Sequence, residues 1–342
     1  MQPVSYRSRK AIQLENENLR ITVLVEGAHV AEIFHKQTGV NPLWTPPWES
    51  IEPSLYDPRK YPGYGSDSES KLLAGIMGHN LCLDLFGSPS PEERDAGLTV
   101  HGEASVATYH FARLNGGITA SADLPLAELH FERHIQLNGP AVEFREIVSN
   151  RSSYDRPIAW TQHVTLGPPF LERGRTQLRI PSTHSRTYES DFGDLYKSGM
   201  DFGWPNAPAR NGATIDLQTF TSAESSAGYT AHLLDPKRAE AFFLAWSPSA
   251  KLLFGYRWKR ADFPWIGMWI ENHSRKTAPW NGKTLTCGME FGVSPMPETR
   301  RAMIQRGSLF GVPAYRWLPA KSSVEVSYSA ITDVVEAAPN HL

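Results

Sequence analysis

From Leu19 onward, apolar side chains recur at every second position in short stretches, the period of a strand with one buried face rather than of a helix. Leu19, Ile21, Val23 and Val25 alternate with Arg20, Thr22 and Leu24; after a turn at Glu26-Gly27 a second run covers 29–35, so the chain opens on a hairpin. Further strands are predicted at 105–111, 117–123, 128–137, 141–150, 158–166, 214–221, 229–234, 239–246, 251–258, 265–271 and 322–331. Asn115-Gly116 and Asn138-Gly139 suit the tight turns of hairpins. Within 284–295 the alternation sets Leu285, Cys287, Met289 and Phe291 on one face and Thr284, Thr286, Gly288 and Glu290 on the other. The small neighbours leave room beside the Glu290 carboxylate, room that a bulky side chain at 288 would close.

Two stretches break the pattern. Residues 40–70 interleave Pro42, Pro46, Pro47, Pro53, Pro58 and Pro62 with Trp44, Trp48, Tyr56, Tyr61 and Tyr64, a composition hostile to helices and central strands alike. Residues 181–210 are rich in Ser, Asp, Gly and Tyr. Both are expected to be long capping loops over one sheet edge. Helix is confined to a short basic segment at 297–307 and a turn or two at 91–97, where Pro stands near the start and Gly at the end. The tail beyond Val335 is expected to fray. These elements predict an all-β fold, a large antiparallel β-sandwich with few short helices, forming one domain over 1–342 with its core at about 19–331.

The composition of the 342 residues is that of an ordinary globular protein, 40% hydrophobic and 20% charged, which argues against disorder. A formal net charge of -2 lacks the basic footprint of a nucleic-acid binder, so no nucleic-acid partner is expected. Cys82 and Cys287 are too few for a disulfide framework and read as buried fillers in a reducing compartment. No apolar run has the length of a signal peptide or a membrane helix. The expectation is therefore a cytoplasmic protein with no membrane partner.

Candidate chemistry lies on the polar faces. Glu290 is a base candidate, and Glu271, at the end of Trp265-Ile-Gly-Met-Trp-Ile-Glu271, is its rival. Trp269 shares a face with Glu271; tryptophan beside a carboxylate suits a sugar, whose axial hydrogens stack on an aromatic plane while its hydroxyls seek charged acceptors. The polar trio His79, Asn80 and Asp84 interrupts an apolar run at 75–87 and could face a ligand. His130, Glu132 and His134 share one strand face and offer a metal-site alternative, although a polar outer face explains them better. Arg257, Lys259 and Arg260 are the basic residues available to a phosphosugar.

Three motifs belong together: Val-His101-Gly-Glu103, Trp-Thr-Gln-His163-Val-Thr-Leu-Gly, and Cys-Gly-Met-Glu290-Phe-Gly-Val-Ser-Pro. Their order, with Gly27-Ala-His-Val-Ala-Glu-Ile33 and Thr38-Gly-Val-Asn-Pro-Leu-Trp44 before them, resembles the aldose 1-epimerase, or galactose mutarotase-like, superfamily over about 19–331. The resemblance implies a β-supersandwich that interconverts sugar anomers without a cofactor or metal. Glu290 would take the proton of the anomeric hydroxyl, His163 would protonate the ring oxygen, and His101 would hold a hydroxyl or the ring oxygen. His79, Asn80, Asp84, Glu103, Trp269 and Glu271 would contact the substrate, a small sugar or sugar derivative. Where the family has an arginine this chain has Gly78-His79-Asn80, and His163 is followed by Val-Thr-Leu instead of a Pro-Tyr type sequence, so the identity of the sugar stays open. The alternative is a noncatalytic carbohydrate-binding protein of the same fold.

Overall fold

The alternating strands assemble into two antiparallel sheets in a computed structural model that describes residues 3–114, 116–190 and 192–339. The larger sheet runs, edge to edge, through Val4–Tyr6, Arg9–Glu15, Leu19–Leu24, Val30–His35, His79–Asp84, Arg156–Leu166, Leu285–Gly292, Trp265–Asn272, Ser226–Leu234, Ser182–Thr187 and Asp201–Phe202. The smaller runs through Gln177–Arg179, Glu240–Ser247, Leu252–Lys259, Ser323–Val334, Ala141–Asn150, Leu129–Asn138, Gly117–Leu124 and His110–Leu114. Sequence-distant strands thus meet at the centre of the larger sheet, where His79–Asp84, Arg156–Leu166, Leu285–Gly292 and Trp265–Asn272 lie side by side.

Each sheet turns one face inward. Val164, Met268, Met289 and Phe291 from the larger sheet and Phe131, Phe144, Phe254 and Tyr256 from the smaller belong to one buried apolar cluster, the face separation that the alternation predicted. A polar network crosses this core. Arg133 donates to Glu146 Oε1 at 2.7 Å and to Gln162 Oε1 at 3.2 Å, and Glu146 Oε2 also accepts from Trp160 Nε1 (3.0 Å) and Gln162 Nε2 (2.7 Å). Tyr328 donates to Glu146 Oε1 at 2.5 Å, and His79 bridges Gln162 and the Tyr256 hydroxyl at 2.9 and 3.0 Å.

Several expectations are corrected. Two strands, Val4–Tyr6 and Arg9–Glu15, precede the expected start at Leu19. The strand expected at 105–111 begins only at His110, and the one at 214–221 is confined to Thr214–Asp216. The 181–210 stretch is not all loop, because Ser182–Thr187 extends the larger sheet against Ser226–Leu234. A helix at Ser70–Gly75 closes the 40–70 segment, which had shown no helical pattern. The helices at Pro91–Asp95 and Arg300–Arg306 fall in their expected segments, started by Ser90 and Thr299 side chains that cap free backbone N–H groups. Asn115, of the expected Asn115-Gly116 turn, lies outside the described residues. No helix among the described residues is long and apolar enough to cross a membrane.

Candidate active site

Antiparallel register puts residues directly opposite one another on the same face. Asn80 pairs with His163, His163 with Glu290, and Glu290 with Gly267, so one row crosses four central strands of the larger sheet on its outer face. Loops border this face around an open cavity of about 370 Å3, lined by His101, His163, Trp269 and Glu290 among others.

At its floor, His163 Nε2 lies 3.0 Å from Glu290 Oε1. His163 Nδ1 faces the Thr165 hydroxyl at 2.9 Å, which leaves Nε2 for the carboxyl group. Glu290 is 2% exposed and His163 5%. Burial disfavours charge on both, raising the Glu290 carboxyl well above the carboxylate range and lowering the His163 imidazole well below the usual histidine value, with His101 adding to the latter. Both shifts favour the uncharged form of each group. The carboxyl group occupies the space over Gly288, where a Cβ would stand 2.4 Å from Glu290 Oε1.

His101 comes from a loop but is held as firmly. Its backbone takes a left-handed φ of 69°, and the following Gly102 packs so closely that a Cβ there would meet the Leu83 carbonyl oxygen at 2.2 Å. Nδ1 donates to the Phe86 carbonyl at 2.7 Å, so Nε2 is left as an acceptor. Burial pushes His101 down to about 4; the Phe86 hydrogen bond opposes this and Arg275 adds to it. Its ring centroid stands 4.9 Å from that of His163, and the Trp269 ring approaches His163 edge-on at 5.8 Å.

Other expected contacts lie elsewhere. His79 faces inward, into the network between the sheets. Asp84 is gripped by Arg156 (2.8 and 2.7 Å) and Arg300 (2.8 and 2.6 Å); burial opposes its ionisation, but the two guanidinium groups hold its carboxyl below the usual range. Glu103 accepts from the backbone of Leu126 and Ala127. Glu271 is also occupied, accepting from Ser274 N (2.7 Å), Ser274 Oγ (2.6 Å) and Arg275 N (3.1 Å). Asn80 is buried beside His163, and its Nδ2 has no hydrogen-bond partner. His130 and His134 pair with Asp123 and Glu132 on the other sheet, and among the described residues no three His, Cys, Asp or Glu side chains are arranged to hold a metal.

Several pocket residues, Glu69, Trp280 and Arg275 among them, were not singled out from the sequence. Arg275 projects from the turn that Glu271 ties down, pairs with Glu69 at 3.1 Å, and lies over the Trp280 ring at 4.4 Å. Its nearness in sequence to Trp269 and Trp280 was the available hint.

No protein-family model matches the chain, and no curated protein matches it. Solved structures do. A presumptive aldose 1-epimerase from Klebsiella pneumoniae superposes with a TM-score of 0.70 at 14% identity, covering 96% of this chain and 80% of the other. Galactose mutarotase-like proteins from Clostridium acetobutylicum (TM-score 0.64, 13% identity, 98% of both chains) and Lactobacillus casei (0.61, 13%, 94% and 100%) are similarly alike. The chain therefore has the galactose mutarotase-like β-sandwich fold.

Proposed function

We propose that this protein interconverts the anomers of an aldose by general acid–base catalysis, without a cofactor. The observation that carries the reading is the 3.0 Å contact between His163 and Glu290 at the floor of an open, tryptophan-walled cavity. Opening a cyclic hemiacetal requires loss of the O1 proton and protonation of the ring oxygen. Glu290, as carboxylate, takes the first; His163, as imidazolium, supplies the second. The C1–O5 bond breaks, a carbonyl forms at C1, and rotation about C1–C2 turns its other face toward the O5 hydroxyl. The reverse transfers then close the ring. Burial favours the proton on Glu290 at rest, so the reactive ion pair forms when that proton passes to His163 across the 3.0 Å contact; opening then leaves a proton on Glu290, and the pair carries no net charge at any stage. His101 Nε2 accepts a hydrogen bond from a sugar hydroxyl, and the Trp269 ring covers one side of the sugar.

Glu290→Gln removes the base while keeping the shape. Anomer exchange, followed by saturation-transfer NMR or polarimetry, should fall by about 10²–10⁴-fold; an unchanged rate would remove Glu290 from the mechanism. Wild-type protein that binds sugars by calorimetry yet accelerates none would instead be a noncatalytic carbohydrate binder.

A further inference from the structure

The cavity wall is sorted by depth. Its polar groups outside the acid–base centre, Asp67, Ser68, Glu69, Ser88, Tyr188 and Arg275, are all exposed or half-buried and so stand toward the mouth. The buried wall is carbon: Leu72, Leu73, Ile76, Phe86 and Trp280, with Tyr229. Several of its polar atoms are already engaged. The Tyr229 hydroxyl donates to the Pro295 carbonyl at 2.9 Å; the Leu72, Leu73 and Phe86 carbonyls accept from Ile76 N, Trp48 Nε1 and His101 Nδ1.

A pyranose has two edges. C1, O5 and C5 lie on one, and C2, C3 and C4 with their hydroxyls on the other. If O1 and O5 meet Glu290 and His163, the second edge faces the polar mouth and the substituent on C5 is carried inward beside O5. There it meets the Trp269 ring and the buried carbon wall.

Building on the anomer-exchange reading, we propose that the preferred substrate is an uncharged 6-deoxyhexose, whose C5 carries a methyl group where common hexoses carry a hydroxymethyl. A buried hydroxyl without a partner is costly, whereas a methyl against carbon is favourable. A 6-phosphate fits worse still. Arg275 is the one Lys or Arg in the wall among the described residues, and it is already paired with Glu69 at 3.1 Å and close to Glu271 at 3.8 Å. Phosphate recognition calls for converging cations, and here carboxylates hold the mouth.

The test is a substrate panel on the wild-type protein, with kcat/KM for anomer exchange measured by saturation-transfer NMR above the spontaneous rate. D-Fucose is compared with D-galactose and D-galactose 6-phosphate, and 6-deoxy-D-glucose with D-glucose. The expected result is a preference of about tenfold to about a hundredfold for each 6-deoxy sugar over its parent, with the phosphate slowest. Equal or better use of the hydroxymethyl or phosphorylated sugars overturns this inference and leaves the acid–base reading standing. Exchange of no sugar faster than with the Glu290→Gln protein overturns that reading, and this one with it.

Discussion

Glu290 can lean over its own strand toward His163 because position 288 carries no side chain. A Gly288→Ala substitution puts a carbon where the carboxylate sits, and displacing a catalytic group by about 1 Å costs on the order of a hundredfold in rate. Exchange should fall by about that much while the circular dichroism spectrum stays that of the wild type. The buried pair also sets the pH response. Adding a second proton makes it cationic and removing the last makes it anionic; burial opposes both, raising Glu290 and lowering His163. The predicted kcat/KM profile is therefore flat through neutrality, falling at low pH by protonation and at high pH by deprotonation; a limb at an ordinary histidine value would contradict this. The sequence pattern pointed to Glu290, His163, His101 and Trp269, all of which line the cavity, and equally to His79, Asp84 and Glu103, which do not. A polar residue interrupting an apolar run looks the same whether it faces a cavity, as at His163, or two arginines far away in sequence, as at Asp84.

At the scale of elements, strands with one uniformly apolar face were legible. Leu285–Gly292 and Trp265–Asn272 lie where the period of two put them, and their even and odd faces divide as expected. Elements held by long-range partners were not. Ser182–Thr187 is polar, without an apolar face, and forms a strand because Ser226–Leu234 offers it an edge. The turn after Trp265–Asn272 is likewise built by tertiary contacts, with Glu271 accepting three hydrogen bonds that bend the chain so that Arg275 reaches the cavity. Glu271→Gln weakens those charge-assisted bonds. It should lower stability by about 1–3 kcal/mol and raise KM while kcat is retained, measured by denaturant unfolding and anomer exchange. A loss of kcat as large as that of Glu290→Gln would assign Glu271 to the chemistry instead.

For the molecule as a whole, the Arg133–Glu146 pair of the smaller sheet, fully buried at 2.7 Å, ties that sheet to the larger one through Gln162 and Trp160. Neutralising one partner strands the other charge, so Glu146→Gln should cost about 3–5 kcal/mol, whereas Arg133→Met with Glu146→Leu should recover much of that loss. Acid should weaken the fold through its buried neutral histidines. Burial pushes His29 and His232 down to about 3, well under the unfolded value of 6.5, so their contribution is complete above 6.5 and is lost as pH falls toward 3. Each should cost about 1.4 kcal/mol per pH unit over that window. His232→Gln should flatten the decline of Tm with acidification by one proton's share. The larger sheet brings residues 163 and 290 opposite each other from strands far apart in the chain, and the account's central claim is that they act as one proton-sharing unit. A double-mutant cycle in anomer exchange with Glu290→Gln, His163→Gln and the combination tests this most directly. The combined loss should be no larger than the greater single loss; losses that multiply, or single variants as fast as the wild type, would contradict it.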